Sequence, residues 1–311
     1  MEFNTKLTVK NIQKIKCSWR SVYLITFNES LPFVPGDSLA IFAQNSRNKI
    51  KKIASLFKWT VTDELNDVDL DLFPRRSLLR DIKEHCSNKS ALNQLLKDVR
   101  VYNEHVIKYN LEDIVRLFDI DQVPIETFLK HSDRIKPRNY TLINKSGESM
   151  KILVGIISKN NKLGHISELV ENNEMNQVKM SGFIRKNKLL EKLQMTHFDR
   201  EFVMICTGVG IAPFIAFDVN CTLNNPTVIY GYRNNDDNLI NIFDINKDTL
   251  IVECKSSDGK RVTDSIDILR DRDVNVFICG NIKMQRDVFN RIMLVNRKLV
   301  DQKQVYFDSW M

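Results

Sequence analysis

The segment FVMICTGVGIAPF, Phe202 to Phe214, combines two glycines with features that favour phosphate binding. A run typical of a strand ends at Cys206, glycines follow at positions 208 and 210, and Pro213 suits the first turn of a helix. Glycines let backbone N–H groups approach a pyrophosphate, and a helix N-terminus adds partial positive charge. The full G-x-G-x-x-G spacing is missing, so two interpretations stay open: a phosphate-binding turn, or a corner that needs glycine only for its backbone angles.

Two further segments carry residue types that could hold a charged cofactor. PRNYT predicts a strand with Arg138 and Tyr140 on one face and Thr141 on the other. LGHISELV predicts a turn that enters a helix, where Gly164 and Ser167 could present N–H groups to phosphate. A half-exposed strand with a surface arginine, and an ordinary helix start, are the structural alternatives.

Two segments near the C-terminus add a thiol, a carboxylate and an indole. VFICGN places Cys279 at the end of a predicted strand, the edge at which α/β sheets bind ligands, although a merely buried thiol is the alternative. In VYFDSWM, the apolar run from Val305 to Phe307 predicts a docked strand that leads through Asp308 to Trp310.

The composition is that of a globular protein with two domains. The chain has 311 residues, of which 43% are hydrophobic and 27% charged. No N-terminal signal peptide is recognisable, and the longest apolar run, 202–217, is too short to span a bilayer and is broken by glycine and proline. We therefore expect a cytoplasmic protein without a membrane partner.

Cysteine spacing and charge narrow the possible ligands. The six cysteines include no C-x-x-C pair, so we expect neither a metal site nor a disulfide framework. A net charge of +7 could attract nucleic acid, an acidic protein or a phosphorylated cofactor, or could belong to a solvated surface. No nucleic-acid-binding motif accompanies the charge, so no nucleic-acid partner is expected.

The spacing of apolar residues changes along the chain. Residues 1–43 and 134–198 alternate apolar and polar residues, as antiparallel strands do. Residues 44–133 have helical spacing, with Ser77, Ser90 and Asn110 as candidate caps. From residue 199, short apolar runs alternate with turns and helical segments, as in a parallel sheet covered on both faces. The predicted fold class is thus α/β plus all-β.

The order of the motifs resembles one known family. PFVPGDSLAIF, PRNYT, GHIS, TGVGIAPF, YGYRNNDDNLI, VFICGNIKM and YFDSW follow one another as in the FAD- and NADPH-binding reductase half of the diflavin reductases. FPRRSLLRDI and the compact helical segment are most similar to the diflavin reductase of cytosolic iron–sulfur protein assembly. The resemblance implies a fold like that of ferredoxin–NADP reductase. An antiparallel flavin-binding β-barrel (1–43 and 134–198) would carry a helical connecting insert (44–133), and a Rossmann-like NADPH-binding α/β domain (199–311) would follow.

The resemblance also implies which residues bind FAD. Arg138 would hold the pyrophosphate, Tyr140 would stack on the isoalloxazine, and Thr141 would hydrogen-bond near flavin N5 in place of the usual serine. Further FAD-binding positions would be Asn139, Val154, Gly155, Gly164, His165, Ile166 and Ser167. Trp310 would cover the other flavin face and move aside when nicotinamide enters.

A second group of residues is implied for the nicotinamide nucleotide. Cys279 and Asp308 would position the nicotinamide for hydride transfer, while other residues would contact its phosphates and ribose: Gly208, Val209, Gly210, Arg233, Lys255, Ser256 and Arg261. Val209 stands where relatives have threonine, and Asn281 where aspartate is usual. Lys255 and Ser256 replace the family's serine–arginine pair for the 2′-phosphate, so NADPH is expected with NADH possible.

The implied activity is that of a flavoprotein reductase. Hydride would pass from NADPH to FAD, and electrons would then go to a protein acceptor. The family's FMN-binding half is not part of this sequence, so the resemblance implies a separate FMN or flavodoxin-like protein, or an iron–sulfur protein, as partner. The alternatives are a ferredoxin- or cytochrome-type reductase with another acceptor, and a catalytically inactive FAD-binding scaffold.

Overall fold

The computed structural model describes residues 5–15, 17–71, 74–156, 158–159, 162–187 and 200–308. The chain divides into two compact units. The first comprises Met1–Ile41, Asn139–Ile156 and Gly182–Met311, and the second comprises Phe42–Arg138 and Ile157–Ser181. Each unit is therefore assembled from segments that are distant in sequence.

The strands within the described residues follow the alternating and apolar runs of the sequence. In chain order they are β1 Thr5–Leu7, β2 Val9–Ile15, β3 Val22–Phe27, β4 Ser38–Ala43, β5 Arg138–Thr141, β6 Lys151–Gly155, β7 Ser158–Lys159, β8 Lys162–Leu163, β9 Met180–Arg185, β10 Glu201–Thr207, β11 Thr227–Tyr232, β12 Leu250–Lys255, β13 Val274–Cys279 and β14 Val305–Asp308.

The helices have the bounds that caps and apolar spacing give them. Within the described residues they are α1 Arg47–Phe57, α2 Arg76–Asp81, α3 Lys89–Lys97, α4 Val99–Lys108, α5 Leu111–Leu117, α6 Ile125–His131, α7 His165–Glu171, α8 Ala212–Asn220, α9 Ile282–Val295 and α10 Arg297–Asp301. Short 3₁₀ turns connect several of them, including Gly208–Ile211 before α8.

The sheets that the sequence predicts take most of their residues from the first unit. Antiparallel strands form a three-stranded sheet of order β2-β3-β6 and a four-stranded sheet of order β1-β9-β4-β5. A parallel sheet has the order β12-β11-β10-β13-β14. All six residues of β13 are buried, as expected for a strand covered on both faces. These sheets confirm the predicted fold class.

Strand β10 is central to the parallel sheet because it pairs on both sides. Its last residues align with the ends of β11 and β13, so that Cys206 lies opposite both Tyr230 and Cys279. The ring of Phe202 stacks on Phe277 with centroids 4.7 Å apart. The parallel register brings the carboxyl ends of these three strands to one edge, where the glycine turn follows β10.

The second unit contains helices α1 to α7, and apolar residues of α1 to α6 share one core. Asn110 caps α5 in a reciprocal capping box with Asp113, as predicted. The predictions for Ser77 and Ser90 are wrong, because both lie inside helices. Asn88 instead caps α3, and its side chain accepts the Ala91 N–H.

Candidate functional site

The glycine turn after β10 lies against the end of β13. A Cβ added to Gly210 would stand 2.6 Å from the carbonyl oxygen of Cys279 and 3.3 Å from its Sγ, so no larger residue fits. Cys279 itself is fully buried. Gly208 has φ +54° but open space around its Cβ position. Packing therefore explains the second glycine, whereas backbone conformation explains the first.

The same turn contacts the end of β6. A Cβ on Gly155 would lie 3.2 Å from both γ-carbons of Val209, while Val154 is buried in the sheet. The structure thus brings together Gly155, Val209, Gly210 and Cys279, which the sequence predicts as cofactor-binding or catalytic residues. All of them belong to the first unit.

Asp308 joins this group through the register of the parallel sheet, in which it lies opposite Cys279. The Nε2 of Gln285 donates to the carbonyl oxygens of Gly280, at 2.8 Å, and Asp308, at 3.2 Å, and so ties the two strand ends together. Burial raises the pKa of the Asp308 carboxyl from 3.8 to about 6. Trp310, the other predicted residue of this segment, lies outside the described residues.

The predicted phosphate-binding residues follow β11 and β12. Arg233 comes directly after β11, and Lys255 ends β12 with Ser256 beside it. Lys255 lines a cavity of about 330 Å³, and its Nζ lies 3.3 Å from Asp258. The exposed Arg261 lies beyond this turn. These cations therefore stand at the edge where parallel sheets bind nucleotides.

Burial increases along strand β5 and does not simply alternate. Arg138 is exposed, Tyr140 is half-buried and Thr141 is buried. The side-chain oxygen of Asn139 is buried without a hydrogen-bond partner among the described residues. A buried acceptor of this kind is unfavourable unless a ligand or water supplies a donor. The arrangement in the first unit therefore fits a cofactor rich in hydroxyl and N–H donors, as FAD is.

In the second unit, Gly164 precedes α7, and His165, Ile166 and Ser167 form its first turn. Gly164 has open space at its Cβ position and an ordinary φ of −70°, so neither packing nor backbone requires glycine there. Glycine is a common N-cap residue, and it also permits close approach of a ligand to the backbone. His165, Ile166 and Ser167 are buried.

A buried ionic cluster supports this first turn. The Nζ of Lys49 lies 2.6 Å from Asp71 and 2.7 Å from Glu168. Burial opposes the charge of Lys49, but the two carboxylates outweigh it and raise its pKa. The Nε2 of His165 donates to the Ala43 carbonyl at 2.8 Å. Burial, with Lys49 nearby, lowers the pKa of His165, so the imidazole is neutral at pH 7.

Comparison with known proteins shows which proteins this chain is similar to. No model of a protein family matches the sequence. Over 94% of its length the chain is 21% identical to NADPH-dependent diflavin oxidoreductase 1 of Gibberella zeae, of which it covers 54%. It is also 23% identical to the sulfite reductase (NADPH) flavoprotein alpha-component of Buchnera aphidicola, over 69% of this chain and 38% of that protein. The chain is a homologue of the diflavin reductases.

Solved structures show the same fold for this diflavin reductase homologue. A mutant ferredoxin–NADP⁺ reductase of Plasmodium falciparum in complex with 2′P-AMP has a TM-score of 0.54 at 14% identity, covering 98% of this chain and 95% of that chain. The same reductase without that mutation has a TM-score of 0.52. The fold is therefore that of ferredoxin–NADP⁺ reductase, as the motifs imply. Within the described residues, no helix has the length and apolarity to cross a membrane.

Sequence reasoning missed several residues of the diflavin reductase homologue. Lys49 belongs to none of the motifs in the sequence, and its partners Asp71 and Glu168 are far apart in the chain. Trp19, in the short segment KCSWRS, was not singled out although an aromatic between cations is a recognisable signal. Pairing between such distant residues cannot be read from periodicity, because it depends on the tertiary fold.

Proposed function

We propose that this chain is an NADPH-dependent flavoprotein reductase, which takes hydride from NADPH onto FAD and passes electrons to a protein acceptor. The observation that carries the proposal is the convergence of Cys279, Asp308 and the glycine turn at the carboxyl edge of the parallel sheet, beside the end of β6. The domain limits 1–43 with 134–198, 44–133 and 199–311 belong to the same proposal.

The proposal assigns FAD-binding residues within each unit taken separately. In the first, Tyr140 offers an aromatic face and Asn139 an unpartnered acceptor. In the second, Arg138 is exposed for the pyrophosphate, and Gly164 gives a ligand access to the start of α7. When bound, FAD supplies the capacity to accept two electrons as hydride and to release them singly.

The nicotinamide nucleotide is proposed to bind along the carboxyl edge of the parallel sheet. The turn Gly208–Gly210 presents backbone to it, and Arg233, Lys255 and Arg261 provide positive charge for its phosphates. Lys255 is compact and strongly hydrated and lacks the planar fork of arginine, so it neutralises a 2′-phosphate with less geometric selectivity. We therefore expect NADPH to be preferred with residual use of NADH.

The residues at the reaction centre mainly orient and shield. Hydride transfer needs little acid–base chemistry from the protein, so alignment of the two rings is the main contribution. Buried Cys279 and half-buried Asp308 place a thiol and a carboxyl at one point of the sheet edge. Thr141, on β5, is proposed to offer its hydroxyl to the flavin. Trp310 is proposed to exclude water from the flavin until nicotinamide enters.

The acceptor is proposed to be a separate acidic FMN or iron–sulfur protein, plausible candidates being those of cytosolic iron–sulfur cluster assembly. The similarity of FPRRSLLRDI to that branch and the net charge of +7 support this. Arg75 and Arg76 of this segment serve the packing of the second unit, because Arg75 pairs with Asp133 and Arg76 donates to the Leu96 carbonyl. Basic residues other than Arg75 and Arg76 are therefore expected to contact the acidic acceptor.

Anaerobic stopped-flow absorbance tests the proposal. The purified protein, loaded with FAD, is mixed with NADPH and, separately, with NADH. Rapid bleaching of the flavin band by NADPH, and slower bleaching by NADH, is the expected result. Equal rates would overturn the preference for NADPH. Bound flavin that neither nucleotide reduces would overturn the reductase and favour the inactive scaffold.

A further inference from the structure

Trp19 is an exposed aromatic residue on a fixed loop. The loop joins β2 to β3, and 62% of the Trp19 surface is accessible. Oδ1 of Asp237 accepts the N–H groups of Ser18, at 2.8 Å, and Trp19, at 2.9 Å, while its Oδ2 accepts the Ser18 hydroxyl at 3.0 Å. The hydrogen bonds hold the backbone, so the exposure of the indole is built into the fold.

Arg233 covers one face of this indole. Its guanidinium carbon lies 3.5 Å from the centre of the Trp19 ring, within the range of a cation–π contact. Stacking occupies the face of a guanidinium and leaves the N–H groups at its edge available for hydrogen bonds. Trp19 therefore positions a phosphate-binding cation while much of its own surface stays accessible.

A shallow, solvent-open cavity of about 330 Å³ adjoins this pair. It is lined by Ser18, Asn234, Asn235, Asp236, Lys255 and Ser257. The side chain of Asn234 donates to the Ser18 hydroxyl at 3.0 Å, which joins the cavity wall to the Trp19 loop. Arg233 and Asn234 are neighbours in the chain, so the stacked pair and the cavity share one rim.

The lining groups discriminate among ligands. Lys255 and Ser257 supply a cation and a hydroxyl, which suit a phosphate that replaces the Asp258 carboxylate, now 3.3 Å from Lys255 Nζ and 3.2 Å from the Ser257 hydroxyl. Asp236 adds a carboxylate to the same cavity, which disfavours a ligand that is only an anion. Asn235 and Asp236 offer acceptors for an exocyclic amine. A ligand with a phosphate at one end and an aminated aromatic ring at the other could bind both the cation and hydroxyl and the hydrogen-bond acceptors.

Trp59 shows what a structural tryptophan looks like in the same chain. Its ring stacks on Phe57 with centroids 4.4 Å apart, and its Nε1 donates to the Val123 carbonyl at 2.5 Å. Trp19 differs because a cation covers one face while most of the residue remains accessible. Core packing therefore accounts for Trp59 and does not account for Trp19.

We propose that Trp19, backed by Arg233, is the stacking platform for the adenine ring of the nucleotide whose phosphate Lys255 and Ser257 bind. The inference rests on the proposed function, since it assigns the adenosine end of the dinucleotide to residues of this chain. It extends the nucleotide site from the parallel sheet to the loop between β2 and β3.

Tryptophan fluorescence tests the platform without requiring turnover. The double variant Trp59→Phe, Trp310→Phe retains Trp19 as its tryptophan and is titrated with adenosine 2′,5′-bisphosphate. Saturable quenching is expected, and the Trp19→Phe variant, which keeps the other two tryptophans, should show none. Quenching of equal size in Trp19→Phe, or no quenching in the double variant, would overturn the proposal.

Calorimetry with the same bisphosphate measures the contribution of the ring. Trp19→Ala should bind about tenfold more weakly, and Trp19→Phe, which retains a stacking face, should lose less than about threefold. Unfolding midpoints in urea check that both variants fold. Wild-type affinity in Trp19→Ala would overturn the proposal.

Two further arms identify the ligand and separate this inference from the proposed function. Adenosine 2′,5′-bisphosphate and NADP⁺ should both quench Trp19, whereas inorganic phosphate should not. Equal quenching by phosphate would reduce the site to an anion site at Arg233 and overturn the platform. Flavin reduction by NADPH without Trp19 quenching would overturn only the proposal that Trp19 stacks on adenine. Quenching without flavin reduction would overturn only the proposed reductase activity.

Discussion

The carboxyl edge of the parallel sheet and the start of α7 both present glycines, but for different reasons. At the sheet edge, Gly210 has a backbone carbonyl 2.6 Å from where its Cβ would be. Before α7, Gly164 has nothing within 4 Å and an ordinary backbone conformation. The fold itself requires the first glycine. The second is free to serve a ligand.

The same two regions differ in whether a buried ionisable group is compensated by opposite charge. Asp308 at the sheet edge has its pKa raised by burial alone, whereas Lys49 below α7 lies between Asp71 and Glu168. One region keeps a carboxyl ready to change its protonation near neutral pH, and the other keeps a cation permanently charged. Uncompensated burial is typical of functional sites, whereas a matched cluster is typical of a structural support.

Lys49→Met should give the largest loss of stability. It leaves Asp71 and Glu168 without their shared cation, and removing one partner of a buried ion pair costs about 3 kcal/mol. Urea denaturation of the variant measures the loss. Lys52→Met is the matched control, since Lys52 is 61% exposed beside Glu112 and its pair contributes less than about 1 kcal/mol. Equal losses in both variants would contradict the buried cluster.

Gly210→Ala should follow, because the new methyl group must displace the Cys279 backbone. Overpacking of this kind costs about 2 to 3 kcal/mol. The free energy of unfolding in urea is again the measurement. Gly208→Ala has open space but φ +54°, so it should lose only about 1 kcal/mol from backbone strain. A Gly210→Ala variant as stable as the wild type would refute the packing explanation.

Asp308→Asn tests the uncompensated carboxyl through pH. The raised pKa means that the stabilising contribution of Asp308 is fully present below pH 3.8 and is lost as the pH rises through about 6. Asparagine does not ionise, so the variant should gain stability relative to the wild type by about 2 kcal/mol between pH 4 and pH 7. Denaturation at several pH values measures this gain, with Asp287→Asn as an exposed control. A gain independent of pH would contradict it.

Gly164→Ala should have the smallest effect on stability, within about 0.5 kcal/mol, because the methyl group meets open space. If FAD approaches this backbone, its affinity should nevertheless fall about tenfold, the equivalent of one lost hydrogen bond to a charged group. Flavin fluorescence during titration of the apoprotein measures the affinity. Unchanged FAD binding would show that Gly164 serves only as an ordinary helix start.

The pattern of apolar residues and the motifs predicted much of the fold. Continuous apolar runs such as NVFIC favoured covered strands, and Asn110 was correctly predicted as a helix cap. Ser77 and Ser90 show the limit of such reasoning. A cap is recognised by its residue type, but Asn88 competes for the same helix start, and tertiary packing decides which residue wins.

The site was predictable where neighbours in sequence are neighbours in space. The turn at Gly208 to Gly210 and the thiol at Cys279 each followed from one segment. The contact between them, and the pairing of Trp19 with Arg233, join segments separated by dozens to hundreds of residues. Local propensity does not specify such contacts, because the register of the sheets determines them.

The division of the chain has a consequence for folding during synthesis. The second unit takes most of its residues from one continuous segment, Phe42–Arg138, and all of them lie before residue 182. The first unit needs both the opening strands and β14, which ends at Asp308. On the ribosome, the helical segment can therefore collapse early, while β3 waits for β6 and β1 waits for β9, both of which follow that segment. Such long-range pairings close large loops and form slowly, so the candidate site at the sheet edge is expected to be completed last.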